Sequence, residues 1–159
     1  MDEALGPFTR YRTTVPAEWL DYNGHMHDAS YGIALSDANE ELFASLDLSR
    51  EYREQTTASL YTVEYHIRYL AECGLGQALS ATTLVLAASA KWVHLYTELL
   101  RDGSDVAATG ESLYLHVDTT RSVTTPLPVD RQHRVQAMVA AHADLPRPSH
   151  LGRGVGARV

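Results

Sequence analysis

Apolar residues recur with two different periods, and the switch between them organises the chain. From residue 28 to residue 46, Tyr31, Leu35, Ala38, Leu42 and Leu46 follow one another at helical spacing on one stripe. Asp37, Glu40 and Glu41 fall on another stripe. This predicts a helix starting at Asp28, with Asp28 as its cap, its apolar stripe buried and its acidic stripe in water. Beyond it, Ser49 is placed to cap a short second helix through Gln55. The period then becomes two. Over residues 60–70, Tyr61, Val63, Tyr65, Ile67 and Tyr69 take one side of a strand, and Thr62, Glu64, His66 and Arg68 take the other.

Turn signals divide the next fifty residues. A Gly turn at 74–77, Ala90-Lys91, and Asp102-Gly103 separate strands at 79–88, 92–100 and 106–117, an antiparallel meander. An earlier strand over residues 8–15 alternates and ends at Pro16. Residues 129–143 read as a helix with Val135, Met138 and Val139 inward and His142 beside them. The last stretch, 145–159, holds two Pro, three Gly, and Arg147, Arg153 and Arg158; it reads as a loose arm unless a partner orders it. Strand, long helix and a run of antiparallel strands is an α+β layout, one sheet curled around one helix.

Composition narrows the partners. The 159 residues suit a single domain with a real core. A formal net charge of −7 argues against non-specific nucleic-acid binding, which needs a basic face, but leaves room for a phosphate-bearing small molecule held by a few local cations. The single cysteine, Cys73, supplies neither an intrachain disulfide nor a thiolate metal cluster. The first residues carry no basic and apolar leader, and no apolar run approaches the length of a membrane span. A cytoplasmic protein, off the membrane, is the expectation.

The densest chemistry lies between Trp19 and Tyr31, where Asp21, Gly24, His25, His27 and Asp28 sit among three aromatics just ahead of the helix. A Gly-broken loop feeding a helix start leaves backbone N–H groups open to a carbonyl oxygen or an oxyanion. Serine-hydrolase, phosphate-loop and dinucleotide signatures are absent from the sequence. His25-x-His27-Asp28 lacks the further ligands that a two-metal site needs, so no metal is expected. Asp21 admits two readings: a nucleophile or general base, or a carboxylate that caps the Tyr22-Asn23-Gly24 bend. Glu64, His66 and Arg68 line either a solvated sheet face or a polar cleft.

Asp-Tyr-Asn-Gly-His-Met (21–26), leading through Tyr31 into a long helix, resembles the entry motif of hotdog-fold acyl-CoA thioesterases of the 4-hydroxybenzoyl-CoA thioesterase type. The order of elements over residues 8–118 is similar too. The chain departs from that pattern at His27-Asp28, where many relatives carry Asn-Asn. The segments 61–72, Val-His-Leu-Tyr (93–96), Leu-His-Val-Asp (115–118) and Leu-Pro-Arg-Pro (145–148) look like the thioesterases of carnitine breakdown, which act on betainyl-CoA.

The resemblance implies a hotdog domain over 1–144, an arm over 145–159, and hydrolysis of a short acyl-CoA without metal or cofactor. It also implies a homodimer or homotetramer with sites between subunits. Asp21 falls on the family's catalytic carboxylate, and Gly24 and the helix start fall on its carbonyl-binding part, with His25 beside them. Trp19, Tyr22, Asn23, Met26, Tyr31, Tyr61, Glu64, Tyr65 and His66 become the substrate-binding candidates, since ring faces hold a trimethylammonium group. A non-catalytic acyl-binding or assembly protein on the same fold is the alternative.

Overall fold

The computed structural model describes residues 6–155. Its elements run β1 (Arg12–Thr14), α1 (Asp28–Ser45), α2 (Arg50–Gln55), β2 (Ala58–Tyr69), β3 (Ala78–Ala88), β4 (Trp92–Arg101), β5 (Asp105–Asp118), β6 (Val123–Thr124) and α3 (Val129–His142). The strands form one antiparallel sheet in the order β1-β3-β4-β5-β2, with β6 added to the end of β5. The sheet curls around α1, the α+β hotdog arrangement that the resemblance implied.

The helix sits where its apolar stripe directs. Tyr31, Ala34, Leu35 and Ala38 pack with Leu79, Leu99 and Ala108 in one cluster. Leu42, Phe43 and Leu46 pack with Val85, Val93, Leu95 and Tyr114 in a second, which Leu127 and Val135 close from the α3 side. Between the clusters Asn39 is fully buried, and its amide is satisfied by the sheet. Its Oδ1 accepts from Thr97 Oγ1 (2.7 Å), and its Nδ2 donates to the Tyr114 hydroxyl (2.9 Å).

Four expectations change in the structure. The first strand is only Arg12–Thr14, because pairing with β3 slips by one residue between Phe8↔Thr83 and Arg12↔Ser80. The α1 cap is His27, whose ring accepts from the Ala29 N–H, and Asp28 is the first helical residue. In β2 the register shifts between Thr62 and Glu64, so the alternation breaks at Val63. Tyr61 and Val63 stay half exposed, while Tyr65 and Ile67 pack into the first cluster; the five residues do not share one face. Tyr65 lies across Gly110, where a Cβ would come within 2.8 Å of its ring.

The fourth change concerns the C-terminal arm. Over its described part, 145–155, it lies on the outer face of the sheet instead of hanging free; Arg158 lies outside the described residues. Leu145, Pro146 and Pro148 share a small cleft with Leu84 and Tyr96, and Tyr96 is almost wholly buried on that outer face. Arg68 Nη1 donates to His150 Nδ1 (2.8 Å), and the Gly152 N–H donates to Glu111 Oε2 (2.8 Å). These polar contacts use strand positions whose partners lie far along the chain.

At the other end of the core, β3 slips register between Val85 and Ala87, and the Val85 N–H donates to Nδ1 of buried His142 (2.9 Å). Burial pushes the His142 pKa below its ordinary 6.5, against a hydrogen bond to the Gly6 backbone that acts upward. The neutral ring is therefore the folded form. The stability that it confers is complete above about pH 6.5 and is lost as pH falls through the lowered folded pKa, since the unfolded chain then binds the extra proton. Urea unfolding at pH 7.5 and 5 should show wild-type stability falling with acid, and His142→Gln, an uncharged acceptor, should show a shallower fall. An equal fall in both would remove His142 from this role.

Candidate active site at the start of the central helix

The site begins as a short hairpin. Leu20 and Met26 bridge, the Asp21 N–H donates to the His25 carbonyl (2.8 Å), and Gly24 turns the chain at φ 77°. Asp21 Oδ1 accepts from the Asn23 N–H (2.8 Å) and the His25 N–H (3.3 Å). One carboxylate oxygen thus caps the bend, while Oδ2 takes neither backbone N–H, and the Asn23 side chain is a further donor to the carboxylate. Desolvation acts upward on the Asp21 carboxyl, but these two N–H donors and the nearby His25 ring outweigh it and hold its pKa below the usual carboxylate range. It is an anion at neutral pH.

The hairpin is stitched to the segment just beyond β2. Met26 is buried, its N–H donates to the Cys73 carbonyl (2.7 Å), and His25 bridges Gly74. His25 Nε2 lies 3.5 Å from Glu72 Oε2. The Tyr31 hydroxyl donates to the Ala71 carbonyl (3.0 Å), and the Tyr31 ring meets Tyr69 edge-on at 5.4 Å. Burial raises the pKa of both phenols, with Cys73 the next cause at Tyr31 and the Asp28 charge the next at Tyr69, so both remain neutral donors. The result is an open cleft of about 430 Å³ lined by Asp21, Asn23, His25, Met26, Asp28, Tyr31, Tyr69, Leu70, Ala71 and Glu72.

The helix start completes it. The Ala29 N–H is held by Asp28 Oδ1 (2.8 Å) and His27 Nδ1 (3.1 Å), and the Ser30 N–H by the His27 carbonyl (2.9 Å). The Asp28 N–H, first of the helix, has no acceptor among the described residues. A carboxylate oxygen outside the turn's backbone bonds and a backbone donor without an acceptor therefore belong to residues lining one cleft. Such a pair suits attack on a carbonyl whose oxygen needs a donor as charge develops. Among the described residues no cluster of His, Cys, Asp and Glu is placed to hold a metal.

Asp21, Asn23, His25, Met26 and Tyr31 are thus brought together, with Gly24 making the turn beside them. The other candidates lie elsewhere. Trp19 packs on the first core cluster behind the hairpin, its carbonyl accepting from the His27 N–H (2.8 Å), and Tyr22 is 96% exposed. Tyr65 faces the core, Tyr61 is half exposed on β2, and Glu64 and His66 line a separate outer pocket with His94 and Glu111. Sequence reasoning expected open N–H groups at the helix start but missed Tyr69 and Glu72. Tyr69 was visible as the last aromatic of its strand, but only the hairpin's pairing with 73–74 shows that it ends at the cleft.

A model of the thioesterase-like superfamily matches residues 15–141. The chain belongs to that family. Within it, a betainyl-CoA thioesterase of Pseudomonas aeruginosa is 36% identical over 149 residues, covering 93% of this chain and 94% of that protein. An L-carnitine dehydrogenase/betainyl-CoA thioesterase of Rhizobium meliloti is 37% identical over 155 residues, 97% of this chain; the chain spans 31% of that longer protein's length. A Staphylococcus aureus protein solved in complex with CoA superposes with a TM-score of 0.88 at 26% identity, covering 99% of this chain and 100% of that one.

The two roles of Asp21 separate by substitution. Asp21→Ala removes the acceptor that closes the hairpin and should lower the thermal midpoint by a few degrees, whereas Asp21→Asn keeps an oxygen at that place and should melt close to wild type. If Asp21→Ala melts as the wild type does, the capping bonds contribute nothing to stability.

Proposed function

We propose that the chain hydrolyses acyl-CoA thioesters in the Asp21 cleft and that betainyl-CoA is its substrate. The observation that carries the reading is an Asp21 carboxylate oxygen left out of the turn's backbone bonds together with the Asp28 N–H that has no acceptor among the described residues. The thioester carbonyl oxygen accepts from the Asp28 N–H, at the positive end of the α1 dipole, where negative charge develops. Oδ2 attacks the carbonyl carbon, the C–S bond breaks, and the CoA sulfur leaves and takes a proton from solvent. Water then cleaves the acyl–Asp21 anhydride, giving the free acid and restoring the carboxylate. Asp21 as base on a water yields the same products from the same cleft.

The acyl group is argued from the rest of the cleft wall. A trimethylammonium head has no N–H to donate, so ring faces and carboxylates select it. The cleft supplies Tyr31 and Tyr69, with Asp28 and Glu72 as exposed carboxylates. This set takes the part that the sequence pattern suggested for Tyr61, Tyr65 and Glu64. The relatives named for betainyl-CoA support the same substrate.

Assembly belongs to the proposal as well. β2 pairs with β5 on one side, and among the described residues nothing pairs with its other edge, along which Tyr61, Val63 and Tyr69 stay half exposed. An open edge of this length invites a second copy, giving a homodimer or a pair of dimers. The domain occupies 1–144 with the arm appended. No helix among the described residues is long and apolar enough to cross a membrane, and the reading places the enzyme with its substrate in the cytoplasm.

Free-thiol release from betainyl-CoA tests the chemistry: Asp21→Asn should lose about two orders of magnitude or more in kcat. A variant turning over at near wild-type rate would move the chemistry elsewhere. The acyl group has its own test in 3,3-dimethylbutyryl-CoA, the uncharged isostere. Two rings at about 0.5–2 kcal/mol each should favour betainyl-CoA by about fivefold or more in kcat/KM. Equal values would leave the hydrolysis standing and remove the cation from the account.

A further inference from the structure

With 13 Lys and Arg against 20 Asp and Glu, this chain offers an anionic ligand few places to bind. Six of its twelve arginines pair with carboxylates. Arg50 pairs with Glu54 (2.8 Å), Arg53 with Glu40 (2.9 Å), Arg101 with Asp105 (3.6 Å), Arg121 with Asp118 (3.1 Å), Arg134 with Asp47 (2.7 Å), and Arg131 with Asp130. Arg68, Arg147 and Arg153 have no carboxylate partner among the described residues, and Arg68 and Arg153 both bond the C-terminal arm at residues 149–150. Arg68 Nη1 donates only to the uncharged Nδ1 of His150 (2.8 Å), and Arg153 Nε donates to the Ser149 carbonyl (3.3 Å). Arg147 lies three residues before His150 on the same arm. Arg12 and Lys91, also without carboxylates, sit apart on β1 and in the β3–β4 turn.

The arm is fixed where it carries these charges. The Gly152 N–H holds Glu111 Oε2 (2.8 Å), and the other oxygen of Glu111 meets His94 Nε2 (2.9 Å), so that carboxylate is occupied on both sides. Between arm and strands lies a pocket of about 520 Å³ with Arg153, His66 and His94 in its wall. Glu64 shares it and opposes an anion there, which favours the Arg68 side.

We propose that this arm–β2 surface docks the phosphates of the coenzyme A whose thioester occupies the Asp21 cleft. The proposal rests on the acyl-CoA reading and adds to it the residues that hold the nucleotide end. Arg68 and Tyr69 are consecutive on β2; Tyr69 lines the cleft, and Arg68 points to the opposite face. A ligand with its thioester at Asp28 therefore passes only the end of β2 to bring phosphates to Arg68. Guanidinium groups present paired N–H donors to phosphate oxygens and stay charged at any working pH.

The test uses the full chain and the variants Arg68→Gln and Arg153→Gln, singly and together. Calorimetric titration with CoA should show the double variant binding about tenfold or more weakly, the scale of losing charged hydrogen bonds. The preference for an acyl-CoA over the matching acyl-pantetheine, which lacks the nucleotide, should shrink in kcat/KM by a similar factor. Added salt should weaken CoA binding by the wild type more than by the double variant. A natively melting double variant with wild-type CoA affinity overturns the proposal, and so does an equal loss on the pantetheine thioester. If the wild type hydrolyses no acyl-CoA, the functional reading fails, while the CoA titrations still decide the docking site.

Discussion

The lock between α1 and the curled sheet is the polar contact of Asn39 with Thr97 and Tyr114 inside an otherwise apolar interface. An apolar stripe alone would let the helix rotate or slide among similar packings. A buried amide with hydroxyl partners at fixed places does not, because each lost partner leaves a desolvated polar atom at about 1–3 kcal/mol. The position of the helix start depends on that lock. Eleven residues upstream of Asn39, the Asp28 N–H arrives beside the Asp21 hairpin and the end of β2. The candidate site is built on the exposed first turn of the helix that the sheet wraps.

Asp21 shows how a loop carboxylate is both structural and chemically available. Its Oδ1 accepts the N–H groups that close the bend, and that bonding fixes the direction of Oδ2. The same bonds lower its pKa and keep it ionised, so the turn supports the anion that the proposed chemistry uses. Capping by Oδ1 and the proposed attack by Oδ2 do not compete, since they use different oxygens of one group. Around it, Tyr31 and Tyr69 form a wall that is apolar in its rings and polar only at its hydroxyls.

Much of the fold was legible because burial imposes a period. The stripe from Tyr31 to Leu46 reflects one buried face, and the turn signals near 74–77, 90–91 and 102–103 do separate the three meander strands. The features that escaped depend on contacts that no local pattern encodes. The Val63 bulge reverses the faces of β2 through its pairing with β5, placing Tyr61 and Tyr65 on different sides and Glu64 and His66 outside. The His27 cap replaces Asp28 because His27 has extended backbone and Asp28 is already helical. The arm looked loose by composition, yet it is held by Arg68, Glu111 and an apolar patch around Tyr96, all distant in sequence. The Asp21 hairpin was legible as a motif; Tyr69 and Glu72 were not, since only tertiary pairing with Cys73 and Gly74 brings them there.

The central claim, that the thioester is held between Asp21 and the first N–H of α1, is tested most directly by a crystal structure of the Asp21→Asn variant with betainyl-CoA bound. The expected result places the thioester carbonyl oxygen within about 3 Å of the Asp28 nitrogen, the hydrogen-bond distance for such a donor, with the trimethylammonium against Tyr31 and Tyr69. A thioester bound away from Asp28, for example in the outer pocket beside His94 and Glu111, would contradict the account.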